Sequence, residues 1–265
     1  MSYETIIFDV TDGLATITLN RPEKYNALNM QMYKEIQDAL KQCSRNAEIR
    51  AVIITGAGKA FSTGADLVEL QSQLGNFEIG DVLRNGLNRI VTAIRQLEKP
   101  VVAVINGVVA GAGGGIALAC DMRIVSDQAS FVFAAFSGIG IIPDAGTTYF
   151  LPQLVGTSKA LELSLFANGK NRVSPEEAYR LGIANRVIAH DDLAEESKAI
   201  GLQLANMATV AVGLTKRILY KSVERSLSDA LETEAQLQGV AFKTQDFQEG
   251  VMAFIEKREA NFKGE

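Results

Sequence analysis

Apolar positions in the first hundred residues switch between two periods. Ile6–Val10 and Leu14–Leu19 alternate apolar and polar residues across Asp12-Gly13, which predicts a β-hairpin. Asn20-Arg21-Pro22 ends it, and Lys24–Leu28 reads as a loop. Asn29 then suits the N-cap of a helix that carries Met32, Ile36, Ala39, Leu40 and Cys43 at helical spacing. Ala51–Thr55 predicts a buried strand, and Gly56-Ala57-Gly58 turns the chain into Phe61–Leu67. Residues 71–80 show no period and are expected to form a mobile loop. Leu83, Leu87, Ile90, Val91, Ile94 and Leu97 predict one amphipathic helix leading to Pro100.

The longest apolar stretch, Val101–Asp121, is read VVAVINGVVAGAGGGIALACD. It predicts a strand at Val101–Ile105, a turn at Asn106-Gly107, a glycine loop, and a short buried helix at Ile116–Cys120. Glycines and β-branched residues argue against a membrane span. The stretch lacks the GK[ST] ending of a phosphate loop and the glycine spacing of a dinucleotide fingerprint. Unpaired backbone N–H groups at such a corner suit an anion, or a carbonyl oxygen that becomes negative during reaction. Tight helix packing is the plain alternative for the glycines.

Beyond the crossing, Met122–Ser126 and Ser130–Phe133 read as short strands and Gly138–Pro143 as a loop. The run Asp144-Ala145-Gly146-Thr147-Thr148 is expected to start a helix, and Ser158–Phe166 is helical. Ser174-Pro175-Glu176-Glu177 is a capping box whose helix closes at Gly182. A strand at Ala184–Val187 follows. From Leu193 every segment reads as helix (193–206, 209–225, 228–244 and 247–260). The chain is therefore expected to divide into an α/β body, residues 1–192, and a helical region, residues 193–265.

The 265 residues, 47% of them hydrophobic, suffice for a large core, and a net charge of −5 without a basic block disfavours nucleic acid. The N-terminus has neither the positive start nor the apolar core of a signal peptide. Two cysteines, Cys43 and Cys120, both in apolar helical patterns, suit a reduced, cytoplasmic protein. His190 is the one histidine and sits beside Asp191 and Asp192. A zinc site, or a triad built on a histidine base, is therefore not expected.

A second corner, Phe61-Ser62-Thr63-Gly64-Ala65-Asp66-Leu67, again follows a strand and again puts a glycine before a helix start. Two such corners could converge on one carbonyl oxygen, each donor lowering a barrier by ~2.7–4 kcal/mol. FSTGADL, NGVVAGAGGGIALACD and IIPDAGTTYFLPQLVG, in that order, resemble the crotonase (enoyl-CoA hydratase/isomerase) superfamily over nearly the whole chain. The resemblance implies an α/β fold, a right-handed spiral of ββα units, with C-terminal helices that build a homotrimer or a dimer of trimers. It implies an acyl-CoA thioester as ligand and no separate cofactor or metal. It implies an oxyanion hole from the amides of Ala65 and Ala112. Substrate contacts would come from Lys24, Ala27 and Leu28, from Thr63, Gly64, Ala65, Asp66 and Leu67, and from Val109, Gly111, Ala112 and Phe136.

The chain departs from the hydratases of that superfamily. They orient water with two glutamates, and the matching positions here are Gly115 and Phe136. The acid that remains is Asp144, after Pro143, where some isomerases of the superfamily carry an aspartate. IPD and the nearby FAAFS resemble the phenylacetate-pathway ring-epoxide isomerases most. The expected activity is an acyl-CoA isomerase with Asp144 as its single base. A hydratase or other lyase of the same fold, and a non-catalytic acyl-CoA binder, are the alternatives. Asp144 could also be no more than a helix N-cap, a role in which its carboxylate would face helix amides rather than a pocket. Asp66 is expected to tie its loop, and Asp121 to be structural.

Overall fold

The computed structural model describes residues 3–72, 78–222 and 225–265. The hairpin forms as expected: β1 (Ile6–Thr11) and β2 (Leu14–Leu19) pair antiparallel, with Asp12 and Gly13 both at positive φ, 51° and 79°. Asn29 caps α1 (Met30–Arg45) by accepting from the Met32 amide at 2.9 Å. β2 then pairs in parallel with β3 (Ala51–Gly56), which leads into the short β4 (Ala60–Ser62).

From there the chain winds as a spiral. Helices α2 (Leu67–Ser72), α3 (Ile79–Asn85) and α4 (Leu87–Gln96) return it to β5 (Val101–Ile105), fully buried beside β3. β6 (Val108–Ala110) leaves β5 to pair with β4, and α5 (Gly111–Ala119) follows. β7 (Met122–Ser126) and β8 (Ser130–Val132) repeat the step. Then come α6 (Thr147–Val155), α7 (Thr157–Phe166), α8 (Pro175–Arg180) and β9 (Arg186–Ile188). Two sheets result, one of order β1-β2-β3-β5-β7-β9 and one of order β4-β6-β8. Each turn thus puts one strand into each sheet.

The main core lies between the sheets and the returning helices. The other face of the large sheet is covered by α9 (Leu193–Ala205) through Leu14, Ile53, Val104, Ile124 and Leu193. The chain ends in α10 (Thr209–Lys221), α11 (Leu227–Ala241) and α12 (Gln245–Glu256). Lys216 anchors α10 by donating to the Ile94 carbonyl and pairing with Asp121, both at 2.9 Å. Asp121 also accepts from the Val101 amide, the structural role expected of it. α11 buries none of its residues.

Four local expectations need correction. The glycines do not form a loop before a helix; α5 begins at Gly111 and contains them. They are inside because neighbours leave no room for a side chain: a Cβ on Gly113 would stand 2.7 Å from Ser62 Cβ. The single helix expected over 83–97 is two, broken at Gly86, where a Cβ would stand 2.8 Å from Tyr33 Cδ2. Residues 71–72 and 79–80, expected in a loop, are helical, while 73–77 fall outside the described residues. The helix expected from Asp144 starts at Thr147, because Gly146 at φ 79° leaves the helical region.

Candidate active site

The two glycine corners meet. Gly64 has φ +92°, and a Cβ on it would stand 3.0 Å from the Ala112 nitrogen and 3.2 Å from Gly111 Cα. Only glycine permits both that backbone and that approach. Beside the crossing, Leu28 bridges the Gly64–Asp66 segment: its amide donates to the Gly64 carbonyl at 2.8 Å, and its carbonyl accepts from the Asp66 amide at 2.9 Å. The Ala65 amide between them has no acceptor among the described residues. Ala112 is the second residue of α5, so its N–H has no acceptor one turn earlier in the helix.

Ala65 and Ala112 both line an open cavity of about 610 Å³. Thr63, Leu67, Gly111, Phe136 and Asp144 line it too. The remaining wall is almost wholly apolar, from Leu70, Ile79, Val82, Leu83 and Leu87 to Ile139, Ile141 and Ile142. Asp144 is the one carboxylate among the described lining residues. Its Oδ1 is buried without a hydrogen-bond partner, and burial pushes the carboxyl up to about 6. It does not cap α6: Gly146 holds the cap position, and the Thr147 amide donates to the Asp144 backbone carbonyl at 2.9 Å.

Other residues expected at the site stand behind its wall. Leu28 and Val109 are in the main core, and the Ala27 carbonyl accepts from Arg21 Nη1 at 2.6 Å. Asp66 ties its loop by pairing with Arg21 at 2.9 Å and Lys24 at 3.6 Å. Burial opposes its charge, but these cations and the Glu69 amide hold its carboxyl below the ordinary range. At the two glutamate positions, Phe136 lies along the cavity and Gly115 packs on Ala145. A Cβ on Gly115 would be 2.5 Å from both the Cβ and the carbonyl oxygen of Ala145. The sequence reading missed Tyr33 and the α3–α4 wall, because an apolar stripe facing a cavity has the same period as one facing a core.

Two sheets wound as a spiral, with two glycine corners crossing at an apolar cleft, are the crotonase fold. The family model "Enoyl-CoA hydratase/isomerase" matches residues 9–265. The chain is 39% identical over 264 residues to a probable enoyl-CoA hydratase of Rhodobacter capsulatus, covering 100% of each. It is 36% identical over 263 residues to the 1,2-epoxyphenylacetyl-CoA isomerase of Escherichia coli K12, covering 98% of this chain and 99% of the other. A putative enoyl-CoA hydratase of Streptomyces coelicolor superposes with TM-score 0.93 at 31% identity, covering 100% of this chain and 96% of that one. The chain belongs to the enoyl-CoA hydratase/isomerase family, which implies an acyl-CoA thioester as substrate.

Proposed function

We propose that the protein is an acyl-CoA isomerase that shifts a double bond, or rearranges an unsaturated ring thioester, with Asp144 as its base. The observation that carries this reading is a buried, partnerless carboxylate oxygen, the one carboxylate among the described residues of a largely apolar cavity wall. The thioester carbonyl would accept from the Ala65 and Ala112 amides. Asp144 would take a proton from the carbon next to that carbonyl while the electron pair moves onto the oxygen. The amides stabilise the resulting enolate, and Asp144 returns the proton to a carbon further along the chain. Water activation by paired glutamates has no support at Gly115, where the backbone of Ala145 blocks a side chain.

The reading needs no separate cofactor or metal, and it takes the enzyme to be a cytoplasmic homotrimer or dimer of trimers. Its test is turnover of a 3-enoyl-CoA, with exchange of the α-proton of a bound thioester for deuterium. Isomerisation of 3-enoyl-CoA without hydration of 2-enoyl-CoA is the expected result. Hydration of 2-enoyl-CoA as the main activity would overturn it, and the hydratase names among the relatives make that the outcome to look for.

A further inference from the structure

A second polar side chain on the cavity wall has no hydrogen-bond partner for its hydroxyl among the described residues. Tyr33 rises from the core side of α1, 5% exposed, and lines the same cavity as Asp144. Its ring lies against the bare backbone of Gly86, where the α3–α4 break leaves no room for a methyl group. Its hydroxyl makes no hydrogen bond among the described residues, and the residue stands between this cavity and a small neighbouring pocket that holds Asp66 and Glu69. The other neutral polar side chains on the wall, Thr63 and Asn88, are exposed. Burial, with Asp144 and Glu69 nearby, raises the phenol well above its ordinary value, so it stays protonated and can donate.

Resting on the acyl-CoA reading above, we propose that Tyr33 sets specificity. Its hydroxyl donates to an oxygen carried on the acyl group away from the thioester, a hydroxyl, keto or ring oxygen. A plain hydrocarbon chain would expel water from this cavity and leave the phenol unpaired, which counts against it. A ligand oxygen at that point gives the hydroxyl an acceptor while the rest of the chain keeps its apolar contacts. The two amides and Asp144 deal with the reacting end and make no such distinction.

The test compares CoA thioesters that cannot react: hexanoyl-CoA against 4-, 5- and 6-hydroxyhexanoyl-CoA, by titration calorimetry. The wild-type protein should bind at least one hydroxy thioester about 5–10-fold more tightly than hexanoyl-CoA. Tyr33→Phe keeps the ring on Gly86 and should bring that ratio to about 1, while binding hexanoyl-CoA at least as well. Asp144→Asn should keep the wild-type ratio, since the preference does not depend on the base. No preference in the wild type, or a preference that survives in Tyr33→Phe, overturns the proposal. If none of the four thioesters binds, the acyl-CoA reading itself has failed, and this inference falls with it.

Discussion

Asp144→Asn keeps the shape of the side chain and removes its ability to accept a proton. Loss of a positioned base lowers the rate by ~10²–10⁴-fold, so the variant should bind acyl-CoA through backbone amides yet scarcely exchange the α-proton. Because burial raises the carboxyl to about 6, its ionised form, the one a base would need, accumulates as pH rises through that value. The rate constant kcat/KM should therefore climb toward pH 7 and level off, measured with a 3-enoyl-CoA. The same shift fixes the sign for stability. An acid raised in the folded state costs stability as pH rises from about 4, its unfolded value, to about 6, by at most about 3 kcal/mol. Asp144→Asn removes that cost. Denaturant unfolding at pH 8 should find the variant no less stable than wild type, whereas a capping carboxylate would have given a loss for Asp144→Ala alone.

At the scale of elements, the proposed site depends most on α5. It supplies the Ala112 amide at one end, and along its length it touches β4 and the Ala145 turn through glycines. Gly115→Ala would drive a methyl into the Ala145 backbone at 2.5 Å, where no flexible side chain can give way. Overpacking of this kind costs ~1–3 kcal/mol, and the turn that must move carries Asp144. The expected outcome is a lower denaturation midpoint together with reduced turnover. A variant of wild-type stability and activity would mean that α5 and the 144–146 turn are not in register as described. The break at Gly86 belongs to the same scale: a Cβ there would stand 2.8 Å from both Tyr33 Cδ2 and the Val82 carbonyl oxygen.

For the whole molecule, the C-terminal helices leave large apolar side chains open in a single copy. Leu227, Phe242, Phe254 and Ile255 are 75%, 56%, 85% and 66% exposed. Apolar side chains exposed in this way would be covered by a contact between copies. Sedimentation should find a trimer or hexamer at micromolar concentration, and Phe254→Glu should shift it toward monomer; a wild-type protein that stays monomeric contradicts this. Among the described residues no cluster of His, Cys, Asp and Glu could hold a metal ion. Turnover is expected to be unchanged after dialysis against a chelator, and activity that disappears and returns with added metal contradicts the metal-free reading.

The sequence by itself determined the hairpin, the buried strands, the Asn29 and Ser174 caps and the family, because each rests on local period, turn chemistry or an ordered set of motifs. It also marked Asp144 and both glycine corners, since those residue types are unusual where they stand. Three matters waited for the tertiary structure, each because contacts between distant segments decide it. The glycines of 111–115 could be loop or helix until Ser62 and Ala145 were seen to press on them. Asp144 could be cap or pocket acid until Gly146 took the cap and the buried oxygen was left unpaired. Tyr33 could be one more core aromatic of α1, and only the fold, by bringing α1, Gly86 and the 136–146 segment around one cavity, placed it on the cavity wall.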